Sequence, residues 1–271
     1  MIRLAVRVER AGAEPVLAEL LALSPGGLEE RDVDAVTVEY ALYGAAGELP
    51  ELPQLRAAAG EALVDVSSRE LPGGWDERWR DWHRPADIAG RAGALRVRPP
   101  WAPGRPGAHD VVIEPGQAFG TGAHPSTRLS LQLLADLPPA GALADWGCGS
   151  GVLAVAAAKL GWKPVLACDV EDAAVAATRA AARANGVELA SVARCDLRRG
   201  GGPFAPTVVA NLVGPLLLEL ATTLESLPER LIAAGLTPDE VDEVAGAFAA
   251  RDLAPARRRD ADGWSAILLE R

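Results

Sequence analysis

One stretch decides the fold: Asp145-Trp-Gly-Cys-Gly-Ser-Gly151, a helix-like segment to Gly161, then Val165-Leu-Ala-Cys-Asp169. This order predicts a strand, a glycine-rich turn, a helix and a second strand that ends in a carboxylate. Units of this kind bind a nucleoside cofactor at the carboxyl edge of a parallel sheet. The glycines let the backbone approach a ligand closely, and Asp169 can accept hydrogen bonds from both ribose hydroxyls.

The spacing of the glycines distinguishes between cofactors. A dinucleotide-binding turn needs G-x-G-x-x-G, but the sixth position counted from Gly147 is Val152, and the third glycine comes early, at Gly151. The observed G-x-G-x-G after an acidic strand end is instead typical of S-adenosyl-L-methionine binding by class I methyltransferases. The predicted cofactor contacts in this stretch are Asp145, Gly147, Gly149 and Asp169.

The composition narrows the class of protein. The chain has 271 residues, 49% of them hydrophobic, and no apolar run of 18 residues that would predict a membrane span. Its start alternates like a strand and lacks the apolar block of a signal peptide. Three cysteines without a C-x-x-C pair favour neither a disulfide framework nor a metal site, so no metal is predicted. These features predict a soluble, cytoplasmic protein.

The net charge of −10 is unevenly placed. Residues 1–68 contain five arginines against twelve acidic residues, a net charge of −7. Binding to a nucleic-acid backbone requires clustered Lys and Arg, so direct nucleic-acid binding is not expected. An acidic first domain suits a basic partner, although a solvated surface that only improves solubility would have the same composition.

Residues 1–68 are predicted to form a small ferredoxin-like α+β domain with the element order β-α-β-β-α-β. The predicted strands are Ile2–Val8, Leu28–Asp32, Ala35–Tyr43 and Glu61–Ser67, and the predicted helices are Glu14–Leu23 and Leu52–Ala59. Residues 69–93 form a tryptophan-rich linker in which Trp75, Trp79 and Trp82 share one face of a short helix. Such a stripe serves either packing or stacking on a substrate, and packing is favoured.

Residues 94–271 alternate strands and helices, which predicts a mostly parallel sheet covered on both faces. The predicted strands lie near Leu95–Arg98, Val111–Glu114, Ala142–Trp146, Pro164–Cys168, Ala190–Cys195, Thr207–Asn211, Arg230–Ala234, Leu253–Arg258 and Trp264–Glu270. The predicted helices lie near Pro125–Asp136, Val152–Leu160, Asp172–Asn185, Pro215–Leu224 and Pro238–Ala250. The final two strands form an antiparallel hairpin, and Pro238 is placed in the first turn of its helix.

A second chemistry-bearing segment runs from Glu114 to Thr127 and contains Phe119-Gly-Thr-Gly122 and His124. It has the composition of a flap that closes over a ligand, followed by a helix N-terminus whose hydroxyls can bind a carboxylate. A glycine-rich loop with an ordinary helix cap would also fit. The cofactor contacts predicted here are Phe119, Gly120, Thr121, Gly122 and Thr127.

Two further strand ends carry polar residues. The apolar strand before Asn211 places an amide at the same sheet edge as Asp169, where it can accept from an amine and donate to the cofactor. An Asx turn at the strand end is the alternative. Asp196 comes at the end of the predicted strand Ala190–Cys195, and we predict that it contacts the adenine of the cofactor.

With these segments in register, the chain resembles the PrmA family, the bacterial methyltransferases of large-subunit ribosomal protein eleven. The resemblance rests on Pro115–Thr127, Asp145–Gly151 and Ala210-Asn-Leu212 followed by Gly-Pro, and it extends over essentially the whole chain. It implies a seven-stranded, Rossmann-like class I methyltransferase domain of the α/β class, with S-adenosyl-L-methionine contacted by Thr127, Gly147, Asp169 and Asn211. Trp146 departs from the smaller or different residue usual inside the glycine motif.

The resemblance also implies the activity: methylation of lysine, and of the N-terminal α-amine, in a basic ribosomal protein that the first domain would bind. Asn211 is the predicted catalytic residue and orients the amine, and His124 is a secondary base. Two alternatives remain open at this stage: a relative with another protein or a small molecule as substrate, and a relative that binds the cofactor without turnover. The chain is expected to be a monomer.

Overall fold

The computed structural model describes residues 2–23, 28–44, 49–70, 84–115, 122, 124–200 and 202–271. The chain divides into two compact units, residues 1–82 and 83–271. The predicted tryptophan helix of the linker lies outside the described residues.

The first unit has the predicted ferredoxin-like topology. Its elements are β1 (Ile2–Glu9), α1 (Ala13–Leu23), β2 (Glu29–Asp32), β3 (Thr37–Gly44), α2 (Leu52–Ala59) and β4 (Leu63–Glu70). The strands lie in the order β2-β3-β1-β4 and every neighbouring pair is antiparallel. Alternate residues of β1, among them Leu4 and Val6, pack with Val16, Leu20 and Leu55 of the two helices, so the hydrophobic pattern of the strand determines which face is covered.

The opposite face of this sheet carries a buried carboxylate. Glu39 is 1% exposed and accepts from Arg3 at 2.6 Å, from Arg7 at 2.8 Å and from Arg31 at 3.0 Å. Burial raises the pKa of Glu39, but the hydrogen bonds from Arg3 and Arg7 outweigh it and bring the pKa to about 2. Since three arginines surround one acid here, the acidic excess of residues 1–68 lies elsewhere on the unit.

The second unit contains the remaining elements. The strands are β5 (Ala86–Ile88), β6 (Leu95–Arg98), β7 (His109–Val112), β8 (Leu143–Trp146), β9 (Val165–Asp169), β10 (Ser191–Arg194), β11 (Thr207–Asn211), β12 (Arg230–Leu236), β13 (Ala254–Ala261) and β14 (Trp264–Glu270). The helices are α3 (Pro125–Asp136), α4 (Val152–Leu160), α5 (Asp172–Ala184), α6 (Gly214–Thr223) and α7 (Val241–Ala249).

A seven-stranded sheet organises this unit, in the order β10-β9-β8-β11-β12-β14-β13. The first five of these strands are parallel, and β14 is antiparallel to both of its neighbours. One hydrophobic cluster joins the sheet to α3, α4 and α5, and a second joins it to α6 and α7. The predicted sheet, covered on both faces, is therefore confirmed, and the strand order reverses between β8 and β11.

Two predictions need correction. The predicted linker contains β5, which pairs with β6 in a three-stranded sheet completed by β7, and a run of three residues is too short to show strand alternation. Pro238 does not open α7, which begins only at Val241. Instead, the Glu240 side chain accepts from the Thr237 N–H at 2.7 Å, so Pro238 lies in a turn that precedes the helix.

Trp146 fills part of the sheet face between α6 and the crossover from β10 to β11. The only helical element in the described part of that crossover is a short 3₁₀ turn, Leu197–Arg199. The indole of Trp146 packs in the same cluster as Leu197 and Ala205, and its Nε1 donates to the Pro203 carbonyl at 3.1 Å. A Cβ on Gly202 would lie 2.4 Å from Nε1, so the backbone passes directly over the ring. The tryptophan thus covers this part of the sheet beneath the crossover.

Trp146→Ala is expected to lower the free energy of unfolding of the second unit by about 3–5 kcal/mol, because it leaves a cavity under the crossover. Urea denaturation followed by circular dichroism would measure the change. Phe204→Ala is the matched control: Phe204 belongs to the same crossover but is 64% exposed. Equal losses in the two variants would contradict the packing role of Trp146.

Candidate active site

A cavity of about 650 Å³ lies at the carboxyl edge of the seven-stranded sheet. Residues from the ends of β8, β9, β10, β11 and β12 line it, together with the start of α3. The structure brings seven of the predicted site residues into its wall: His124, Thr127, Gly147, Gly149, Asp169, Asp196 and Asn211. Their order along the sheet edge follows the strand order, with the two carboxylates on one side of β8 and the amide on the other.

The glycine loop requires glycine for two reasons. Gly147, Gly149 and Gly151 have φ angles of +73°, +50° and +82°, in the region that side chains disfavour. In addition, a Cβ on Gly147 would lie 2.4 Å from Leu212 Cδ2, and one on Gly151 would lie 2.8 Å from Thr178 Cα. The loop is therefore packed against its surroundings and turns β8 into α4 with its backbone facing the cavity.

Asp169 is positioned by backbone amides. Its Oδ2 accepts from the Gly149 N–H at 3.0 Å and its Oδ1 accepts from the Glu171 N–H at 3.1 Å. Each carboxylate oxygen has a second lone pair, so both remain able to accept from a ligand hydroxyl. Asp196, on the next strand along the edge, accepts from the Arg198 N–H at 3.1 Å and also lines the cavity.

Asp145 does not line the cavity, contrary to the sequence prediction that it contacts the cofactor. Its side chain is fully buried, and its Oδ2 accepts from the Ala154 N–H at 2.9 Å in the first turn of α4. Burial raises the pKa of Asp145 to about 7, against the effect of the Ala154 hydrogen bond and with a contribution from the charge of Asp169. The residue therefore fixes the first turn of α4, the helix that follows the glycine loop.

The amide end of the cavity is built on α3, β11 and β12. Asn211 donates through Nδ2 to Thr127 Oγ1 at 3.3 Å. The Leu212 N–H donates to the Ala234 carbonyl at 2.9 Å, which fixes the turn after β11 to β12. Gly235, with φ +84°, follows, and a Cβ there would lie 2.4 Å from the Leu212 carbonyl oxygen and 3.0 Å from Asn211 Oδ1. Sequence reasoning missed Gly235; a glycine after an apolar strand run was its only signal.

His124 caps α3. Its Nδ1 accepts from the Ser126 N–H at 3.3 Å and lies 2.8 Å from Ser126 Oγ. The ring meets the edge of Trp264 with 4.7 Å between centroids, and both rings line the cavity. Burial, and then the charge of Arg128, lower the pKa of His124, so the ring is neutral at pH 7. The geometry supports the role at the helix start, while its role as a base stays a prediction.

The predicted flap lies largely outside the described residues, including Phe119, Gly120 and Thr121. Gly122 is described but is not among the cavity-lining residues. It has φ +88°, and a Cβ there would lie 2.5 Å from Val97 Cγ1, so it packs closely against β6.

The family is decided by comparison with known proteins. Residues 29–271 match the family model described as ribosomal protein L11 methyltransferase (PrmA). The chain belongs to this family. A PrmA-family relative named ribosomal protein L11 methyltransferase in Azotobacter vinelandii is 34% identical, over 98% of this chain and 97% of the relative. A relative of the same name from Caldanaerobacter subterraneus is 34% identical over 72% of this chain, and the match spans 63% of that protein's length.

A solved structure supports the same PrmA fold. The ribosomal protein L11 methylase from Lactobacillus delbrueckii is 29% identical, with a TM-score of 0.57, over 65% of this chain and 93% of the solved chain. This fold and the family identify the chain as an S-adenosylmethionine-dependent methyltransferase.

The cavity fits S-adenosylmethionine on its own geometry. The glycine loop has no room for side chains and presents backbone to the cavity, and the buried hydroxyl of Thr127 lies beside an amide at the opposite end from two carboxylates. Gly147, Gly149, Asp169 and Asp196 would hold the nucleoside, and Thr127 and Asn211 the methionyl end.

In the ranges that the structure describes, no helix is long and apolar enough to cross a membrane. Among the same residues, no group of three or more His, Cys, Asp or Glu side chains is placed to hold a metal ion.

Proposed function

We propose that this chain transfers methyl groups from S-adenosylmethionine to lysine ε-amines, and to the N-terminal α-amine, of ribosomal protein L11. The observation that carries the proposal is the meeting of Asn211 and Thr127 in the same cavity as Asp169 and the glycine loop. That arrangement leaves an amide at the end of the cofactor site where an acceptor nitrogen would enter. The named relatives supply the class of substrate.

When bound, the cofactor would supply a sulfonium methyl group, which a neutral amine takes over as the S–CH3 bond breaks and S-adenosylhomocysteine leaves. A lysine amine has an ordinary pKa of about 10.4 and must first lose a proton. Enclosure in the cavity, next to a positive charge, lowers that pKa because both burial and like charge disfavour the ammonium form. The Asn211 carbonyl oxygen accepts from the amine N–H and orients the nitrogen toward the methyl group. Positioning of this kind supplies most of the acceleration.

The charge of the first unit supports a basic protein as substrate. Residues 1–68 have a net charge of −7, and the three arginines on the sheet face opposite the helices are bound to Glu39. An acidic surface attracts a basic partner over several ångströms and speeds its association.

Mass spectrometry of purified ribosomal protein L11 after incubation with the enzyme and S-adenosylmethionine tests the proposal. We expect mass increments of one methylene per methyl group, localised to lysines and the N-terminus. Asn211→Ala should reduce the rate of incorporation by about 100-fold, as expected when a reacting group is misplaced by about 1 Å.

Two outcomes would contradict the proposal. One is an absence of methylated L11 when calorimetry shows that the enzyme binds the cofactor. The other is methylation of free lysine as fast as that of L11, which would indicate a small-molecule enzyme instead.

A further inference from the structure

Two cysteines meet at the adenosine end of the cavity. Cys168 lies in β9 and Cys195 follows β10, the neighbouring strand. The Cys195 thiol donates to Cys168 Sγ with 3.1 Å between the sulfurs. Each cysteine directly precedes a cavity carboxylate, Asp169 or Asp196.

The two sulfurs differ in their access to solvent. Cys195 is partly exposed and lines the cavity, whereas Cys168 is fully buried behind it. The third cysteine, Cys148, also belongs to the cavity wall, but it is only 5% exposed and its sulfur accepts from Thr178 Oγ1 at 3.2 Å. Cys195 is the most exposed of the three, so an oxidant that enters the cavity reaches it first, with the Cys168 sulfur 3.1 Å away.

We propose that Cys168 and Cys195 form an oxidation site, which hydrogen peroxide converts to a disulfide and which a bound cofactor shields. The argument that a disulfide can form rests only on the geometry of the two thiols. The shielding rests on the proposed cofactor site, because Cys195 belongs to the wall that the adenosine would cover.

The chemistry proceeds in two balanced steps. The Cys195 sulfur attacks one peroxide oxygen, the O–O bond breaks, and the products are a sulfenic acid and water. The Cys168 sulfur then attacks the Cys195 sulfur, the S–S bond forms, the S–O bond breaks, and the hydroxide leaves with the Cys168 proton as a second water. Two thiols lose two electrons and two protons in total, and one peroxide is reduced to two waters.

The order of the two sulfurs follows from their surroundings. Burial, together with the neighbouring Cys195, raises the pKa of the Cys168 thiol far above its ordinary value, so Cys168 is a poor first nucleophile. As second nucleophile it is already in contact with its target, and such proximity replaces an encounter in solution.

The disulfide would alter the cofactor site. An S–S bond is about 2.05 Å long, so the sulfurs must approach each other by about 1 Å. The two bonded residues directly precede Asp169 and Asp196, so the changed sulfur positions act on the part of the cavity wall that holds both carboxylates. We therefore expect the oxidised protein to bind S-adenosylhomocysteine more weakly, with recovery after reduction by dithiothreitol.

Peptide mapping of the full chain tests the proposal directly. Lysines and arginines separate all three cysteines in the sequence, so trypsin places each in its own peptide. After treatment with peroxide and digestion without reductant, we expect one cross-link, between the peptides that contain Cys168 and Cys195. Cys148→Ser is the matched control and should retain the cross-link, whereas Cys195→Ser and Cys168→Ser should both lose it.

Shielding is measured on the same protein with S-adenosylhomocysteine, which occupies the site without reacting. At a ligand concentration of about 100 Kd the free fraction is about 1%, so cross-linking should slow by up to about 100-fold. The proposal fails if peroxide drives Cys195 to a sulfinic acid without any cross-link, or if cross-links join all three cysteines indiscriminately. If the cross-link forms equally fast with and without saturating S-adenosylhomocysteine, the cofactor does not shield the site. None of these readouts depends on methylation of L11.

Discussion

Asp169→Ala is expected to weaken S-adenosylmethionine binding by about 100-fold or more. Hydrogen bonds to a charged group contribute about 1.5–3 kcal/mol each, and the carboxylate is expected to accept from two ribose hydroxyls. The substitution also removes the acceptor for the Gly149 N–H, 3.0 Å from Oδ2, so the glycine loop loses one of its fixed contacts. Both effects weaken cofactor binding whether or not the substrate protein is present.

Isothermal titration calorimetry with S-adenosylhomocysteine measures this loss without a need for turnover. Asp172→Ala is the matched control: this carboxylate lies three residues away, its side chain is 79% exposed, and it does not line the cavity. The ribose assignment would be wrong if Asp169→Ala and Asp172→Ala bound the ligand equally well.

Gly235→Ala is expected to lower kcat by about 100-fold, because a misplacement of about 1 Å at a reacting group costs that much. The new Cβ would lie 2.4 Å from the Leu212 carbonyl oxygen and 3.0 Å from Asn211 Oδ1. The turn after β11 cannot move freely, because the Leu212 N–H donates a hydrogen bond to the Ala234 carbonyl at 2.9 Å. The turn that carries Asn211 must therefore shift away from β12.

A matched control separates this clash from backbone strain. Gly141 has φ +78°, close to the +84° of Gly235, and a Cβ there would meet nothing within 4 Å. Both alanines carry the left-handed penalty of about 1–2 kcal/mol, but only the one at position 235 displaces the amide. Equal losses of kcat in Gly235→Ala and Gly141→Ala would show that strain, and not the position of Asn211, limits the reaction.

Much of the second unit was predictable because particular residues in the sequence indicate where its helices and strands begin and end. The bounds of Pro125–Asp136, Val152–Leu160, Thr207–Asn211 and Trp264–Glu270 agree with the structure. A proline or glycine lies at or next to one boundary of each of the two helices and of the last strand, and apolar runs fill the interiors. The short strand β5 has no such marking, because its three residues become a strand only through pairing with β6.

The site was predictable where a residue lies at a strand tip. Asp169 and Asn211 end their strands, so the parallel topology alone brings them to one edge. Asp145 lies one residue before the end of β8. Side chains alternate in direction along a strand, so its carboxylate points toward the first turn of α4 and not into the cavity. A glycine after an apolar run is too weak a signal to assign a role to Gly235, because that role depends on the shift of pairing register between Ala234 and Leu236.

The contact between Gly147 and Leu212 constrains how this protein can change. The two residues belong to loops far apart in the chain, yet the space that a side chain would need at position 147 is already taken by the leucine methyl group. A side chain at position 147 would therefore require a change at Leu212 as well. A shorter side chain at position 212 would remove this clash, but the φ of +73° at Gly147 would still disfavour any residue other than glycine there. The turn after β11 thus limits the glycine loop through packing, and the backbone of the loop limits itself through its conformation.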